Sequence, residues 1–192
     1  LLGAKMYHTK DRTIDVSNEI YGHLCNGKIV ILDLSVGNAA LRDKLSKKIA
    51  AYIFNSSMDC FTRGETPPNI VLYIEEAHNL IGKENKLTDT WPRIAKEGAK
   101  YRISLVYATQ EVSSVHPNIL ANTENWIVSH INSEREIREL AKFYDFSDFA
   151  KSLLRSQDVG FSRVKTLSSP FVVPIQIDKF DPEQIKCERT SQ

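Results

Sequence analysis

Apolar and polar positions along the chain fall into short blocks whose spacing predicts alternating strands and helices. Three apolar runs lead: GKIVILDLS (Gly27 to Ser35), IVLYI at the head of IVLYIEEAH (Ile70 to His78), and ISLVYATQ (Ile103 to Gln110). Unbroken runs of this length predict strands buried on both faces, as in a parallel sheet. Between the first two, residues 39–57 set Leu41, Leu45, Ile49, Ile53 and Phe54 at three-to-four spacing, the period of an amphipathic helix. The polar stretch TRGETPPN predicts a loop. After the second strand a helical start stops near Gly82, and the charged loop GKENKLTD follows. Thr90 stands where it can cap a helix beginning WPRIAKEGAKY, with Pro92 tolerated in the first turn. Past a connector at residues 113–122, WIVSHI predicts a fourth short strand and SEREIRELAKFY a helix capped by Ser133. From about Asp145 the pattern gives another helix, a short hairpin near Val159 to Val164, and a final strand FVVPIQI. Residues 1–27 are mixed; Asp15 to Leu24 reads either as a short helix or as a strand with a turn. The alternation predicts an α/β fold with a largely parallel sheet between helical layers, a three-layer arrangement.

Composition narrows the partners. At 192 residues the chain suits one α/β domain with a sizeable core, and 42% apolar with 26% charged residues is ordinary for a globular protein. The 25 basic and 24 acidic residues leave a net charge of +1, so any nucleic-acid surface must be a local patch. Cys25, Cys60 and Cys187 are widely spaced and form no CxxC pair, which predicts inert thiols in a reducing, cytoplasmic setting. No apolar run approaches the ~18 residues of a membrane span. The start, LLGAKMYHTKDR, has no signal-peptide pattern, and its first residue is Leu1 rather than methionine, as expected for part of a longer protein.

The candidate chemistry is the acid pair Glu75–Glu76. It stands where a strand leaves the core, at the carboxyl end, where open α/β sheets place their ligands. Adjacent carboxylates repel and cost desolvation energy, which a cation offsets. In nucleoside-triphosphate hydrolases that cation is magnesium bound to the phosphates. Glu75 would then hold magnesium through water, and Glu76 would orient and deprotonate the attacking water. The competing reading is a strand end that opens a helix, since acids also suit helix N-termini. Asp33 ends the first run, and a turn cap with Ser35 is its alternative role. His78 reads as a local packing residue, because no second His or Cys lies at metal-ligand spacing.

Three features in order carry a resemblance: IVLYIEEAHNLI, RIAKEGAKYRISLVYATQ and NILANTENWIVSHINSEREIRELAKF. Together they resemble the second half of the motor domain of HerA-type and FtsK-type ATPases, ring-forming DNA translocases with a RecA-like core. KIVILDLS followed by an amphipathic helix is similar to the piece before the Walker B strand in the HerA branch. The resemblance covers residues 27–180 and implies one partial RecA-like domain over 1–192. It implies ATP and magnesium as cofactors, a hexameric ring, double-stranded DNA as partner in end processing, repair or defence, and a nuclease or effector as a further partner. Glu75 falls on the magnesium-side acid, Glu76 on the catalytic base, and Gln110 on the sensor of the γ-phosphate or attacking water.

Two departures matter. The chain contains no GxxxxGK[ST], so the phosphate loop is expected on a preceding segment, and this piece alone is expected to bind ATP poorly. The basic residue that the family often places in the glycine turn aligns with Ala99, with Lys96, Lys100 and Arg102 nearby. Arg102 is the best substitute for an arginine finger, since guanidinium binds phosphate bidentately. In such rings pore loops track the DNA backbone, which makes Lys83 and Lys86 the DNA-contact candidates. The alternatives are an oligomerisation or regulatory module with weak or lost ATPase activity, and a related motor acting on a non-DNA substrate.

Overall fold

A computed structural model describes residues 15–34, 38–155 and 158–180, and the chain divides into two compact units with the boundary between Asn122 and Thr123. In the first unit α1 (Val16–Cys25) settles the ambiguous start as a helix. Asp15 caps it, its side chain accepting from the Ser17 amide at 3.0 Å. Helix α2 (Ala39–Thr62) opens on Asn38, which accepts from the Leu41 amide at 2.8 Å, and runs five residues past its expected end. Its buried stripe is Ser46, Ala50, Ile53, Phe54 and Ser57, while Leu45 of the expected stripe is exposed.

Strands β1 (Ile70–Ile74) and β2 (Ile103–Tyr107) pair in parallel, with Ile70 opposite Ile103 and Ile74 opposite Tyr107. Between them lies α3 (Thr90–Glu97). Its cap position is Asp89 rather than the expected Thr90, because the Asp89 carboxylate already accepts from the Lys86 amide and closes the preceding loop. Pro92 sits in the first turn and is buried with Trp91 and Ile94. A tight 3-10 turn, Gly98–Tyr101, then feeds β2. A Cβ on Gly98 would meet the Ile103 carbonyl oxygen at 2.8 Å, so only glycine allows the turn to lie this close to the strand. Tyr101 meets Phe54 and Phe61 of α2 edge-on, with ring centroids 5.3 and 5.7 Å apart. A short helix, α4 (Pro117–Ala121), closes the unit.

One face of the β1–β2 pair, carrying Ile70, Ile74 and Ile103, joins this core. The other carries Val71, Tyr73 and Val106, which are 63%, 59% and 44% exposed. The described residues therefore supply two layers, not the three expected. The run Lys28–Leu34 also departs from expectation. It is irregular, not a buried strand, and Ile29 and Ile31 are 93% and 90% exposed. A strand is stable only against a neighbour that satisfies its amides, and no strand of the described residues pairs with this run. Asp33 lies within it; Ser35 lies outside the described residues.

The second unit is an antiparallel meander of β3 (Trp126–Val128), β4 (Phe161–Lys165) and β5 (Val173–Gln176), in that order. The expected continuation of the parallel sheet is thus corrected. The link of residues 166–172 between β4 and β5 is too short for a parallel crossover and forces a return. The expected hairpin at 159–164 is instead the turn and strand leading into β4–β5. Helices α5 (Glu134–Leu140), capped by Ser133, and α6 (Ala150–Arg155) match their expected places. Trp126 anchors the unit: it stacks on Phe143 and meets Tyr144 and Phe146 within 6.3 Å, and its indole donates to the Thr123 carbonyl.

Cys25 and Cys60 are free thiols, and Cys187 lies outside the described residues. Among the described residues no helix is long and apolar enough to cross a membrane.

Candidate active site

The carboxyl ends of β1 and β2 stay clamped beyond the last strand residue. The Ala108 amide donates to the Ile74 carbonyl at 2.9 Å, and the Ala77 amide donates to the Ala108 carbonyl at 2.9 Å. Glu75 and Glu76 occupy the two positions between those bonds. They therefore project from the joint tip, beside Thr109 and two residues from Gln110 of the neighbouring strand. All three candidates, Glu75, Glu76 and Gln110, are exposed there.

Glu76 adopts a left-handed backbone, φ 49° and ψ 47°. Only two non-glycine residues of the described chain have positive φ, and the other is Arg102 at 60°. Such a conformation costs about 1–3 kcal/mol, and residues held in it concentrate at functional positions. The turn that follows, Ala77–Asn79, is a single 3-10 turn, and the Glu76 side chain makes no capping bond. The helix-opening reading of the acid pair therefore lacks its helix.

Among the described residues each acid has one side-chain partner. The Tyr73 hydroxyl, two residues back on the same strand face, donates to Glu75 Oε1 at 2.6 Å. That bond to a carboxylate pushes the Tyr73 phenol above its ordinary pKa, since ionising it would break the bond and set two anions together. Glu75 Oε2 takes no part in it. Glu76 Oε2 lies 3.6 Å from His78 Nε2, and His78 Nδ1 lies 3.2 Å from Thr109 Oγ1. Thr109 in turn accepts from the Glu111 amide at 3.1 Å.

Arg102 stands elsewhere. Its carbonyl accepts from the Ile70 amide at 3.0 Å, so it marks the amino end of the sheet, a full strand length from the acids. Within one chain it cannot reach a group bound at Glu75 and Glu76. Ala99 and Lys96 are exposed, and Lys100 lies over the Phe61 and Tyr101 rings at 5.4 and 5.6 Å. Lys83 and Lys86 lie on an ordered surface loop. Gly82 bridges to Val115, the Lys83 amide donates to the Ser114 carbonyl, and buried Asn85 donates to the carbonyls of Leu80 and Gly82. Both lysines are exposed.

No family model matches the chain. Against curated proteins it is 30% identical over 173 residues to the DNA double-strand break repair helicase HerA of Saccharolobus solfataricus, a match covering 86% of this chain and 34% of that protein. With the protein of the same description from Sulfurisphaera tokodaii it shares 39% over 115 residues, covering 58% of this chain and 23% of that one. The chain is a homologue of HerA. It spans between 23% and 36% of the length of the HerA proteins it matches. The fold is also that of the genome packaging NTPase of Sulfolobus turreted icosahedral virus 2, solved with ATP-gammaS: TM-score 0.61 at 14% identity, over 83% of this chain and 72% of that one.

Alongside the acids expected from the HerA-like pattern, the site holds Tyr73 and Thr109, to which the sequence pattern gave no role, and His78, expected only to pack locally. Tyr73 was legible in principle, because strand alternation puts it on the same face as Glu75. His78, in the 3-10 turn and mostly buried, has one ring nitrogen 3.2 Å from Thr109 and the other 3.6 Å from Glu76. Among the described residues no group of three or more His, Cys, Asp or Glu is placed to hold a metal ion by itself.

Proposed function

We propose that this chain is part of an ATP-hydrolysing motor that moves double-stranded DNA, acting in a ring of subunits with a RecA-like core, and that ATP and magnesium bind at the Glu75–Glu76 tip. The observation that carries this reading is the left-handed Glu76 at the joint end of two clamped parallel strands, beside the tip that bears Gln110. Strained backbone is retained where it serves to aim a side chain. The HerA homology and the packaging-NTPase fold support a DNA-translocating motor.

The donor set fits magnesium. This ion keeps several waters and takes one or two carboxylates together with substrate phosphates, so no protein cage of three ligands is needed. Glu75, with Oε2 outside the Tyr73 bond, would hold it, directly or through water. When bound, magnesium supplies neutralisation of the charge that spreads over the phosphoryl oxygens. Glu76 would orient the attacking water and take its proton. Gln110 would hold the γ-phosphate or that water, since an amide can donate to phosphate and accept from water at once. Arg102, at the far end of the sheet, would serve only a nucleotide held by the neighbouring subunit, as hydrolysis between subunits requires. Lys83 and Lys86 would contact the DNA backbone without reading sequence.

The test is Glu76→Gln in the complete protein. Steady-state ATP hydrolysis is expected to fall about 10²–10⁴-fold, the usual worth of a general base, while ATP binding persists. Turnover at the unmodified rate overturns the assignment of the base, and with it the site.

A further inference from the structure

We infer that His78 is the positioning residue of this site: it carries the state of the β2 tip to the side chain of Glu76. The inference rests on the reading of Glu76 as the base. A left-handed backbone fixes where Cα and Cβ of Glu76 stand, but it leaves the carboxylate free to swing on two further torsions. The Glu76 side chain is 57% exposed, so water alone does not pin it. Among the described residues the side chain placed to hold it is His78, which is 20% exposed and also touches Thr109 on the neighbouring strand tip.

Two contacts make the link. The Glu111 amide donates into Thr109 Oγ1 at 3.1 Å and occupies one of its lone pairs. The same hydroxyl lies 3.2 Å from His78 Nδ1, and the other ring nitrogen, Nε2, faces Glu76 Oε2 at 3.6 Å. The last gap is longer than a hydrogen bond, and catalytic contacts of this kind often tighten only in the substrate complex. Held through Oε2, Glu76 keeps Oε1 for the attacking water.

The consequence is a side-chain connection across 31 residues of sequence between the strand end that bears Gln110 and the group that takes the proton. A nucleotide engaged by Gln110 shifts the adjacent Thr109, and His78 passes that shift to Glu76. Glu76 is then in position only when the other strand tip is engaged.

The experiment uses the complete protein. His78→Ala is expected to lower kcat for ATP about 10- to 100-fold, the cost of misplacing a reacting group by about an ångström, with KM unchanged. His78→Gln, which can bond both neighbours, restores most of the rate. Thr109→Val, which removes the hydroxyl at nearly constant volume, lowers kcat by a smaller factor. The double variant is no slower than His78→Ala, because the two side chains act in one line. An unchanged kcat in His78→Ala, or losses that multiply in the double variant, overturns the inference. A dead Glu76→Gln beside a fully active His78→Ala removes His78 alone; an active Glu76→Gln removes the base itself.

Discussion

Positive φ at non-glycine residues is confined to the ends of the β1–β2 pair, at Glu76 and Arg102, whereas the β3–β5 meander has none among the described residues. The meander is held instead by aromatic packing around Trp126, with Phe146 fully buried beside it and Leu153 fully buried in the same unit. One unit spends backbone strain on an exposed polar tip; the other is built for cohesion. Strain of this kind persists only where the surroundings over-determine it, and here the clamping bonds at Ala77 and Ala108 do so.

Three substitutions sharpen the contrast. The largest expected effect lies in the cohesive unit. Phe146→Ala empties a fully buried aromatic site, and urea unfolding of the chain is expected to show a loss of about 3–5 kcal/mol, with early amide exchange in β3 and β4. A loss below about 1 kcal/mol would contradict the cohesive role given to that cluster. The strained unit is expected to respond in the opposite direction. Glu76→Gly relieves the left-handed backbone and is expected to stabilise by about 1 kcal/mol in the same measurement, even as it removes the proposed base. Destabilisation by that variant would show that the Glu76 side chain contributes more than its backbone costs. The smallest effect is expected at the α1 cap. The Ser17 amide, followed by Lys48, holds the Asp15 carboxyl below its ordinary pKa. Its contribution to stability is therefore present above the ordinary aspartate range and lost as pH falls through the lowered value. Asp15→Asn should flatten the acid limb of a pH–stability curve slightly; an unchanged limb would assign that limb to other groups.

The parts of this fold that were legible in the sequence are those whose signal is local. IVLYI and ISLVY became β1 and β2 at almost the expected residues, and the strand-end acids fell at the tip because alternation and chain direction suffice to place them. GKIVILDLS carried an equally strong signal, yet its described residues form no strand, since burial depends on a neighbour that no apolar run can specify. The meander was misread for the converse reason: strand spacing suggested a parallel sheet, while the brevity of residues 166–172 decided the direction of β5 against β4. Two features of the site were beyond reach. Nothing in EEAH signals that Glu76 is left-handed, a state that glycine or asparagine usually marks. His78 gains its meaning only from the parallel register that sets Thr109 beside it.

The bare side of the β1–β2 pair has a consequence for the chemistry at its rim. Tyr73 belongs to that side, and its hydroxyl grips Glu75. Any polypeptide roofing those residues would press on the phenol ring and so tilt the carboxylate proposed to hold the metal. Whatever shields this surface from solvent thereby acquires leverage over hydrolysis, without touching the nucleotide.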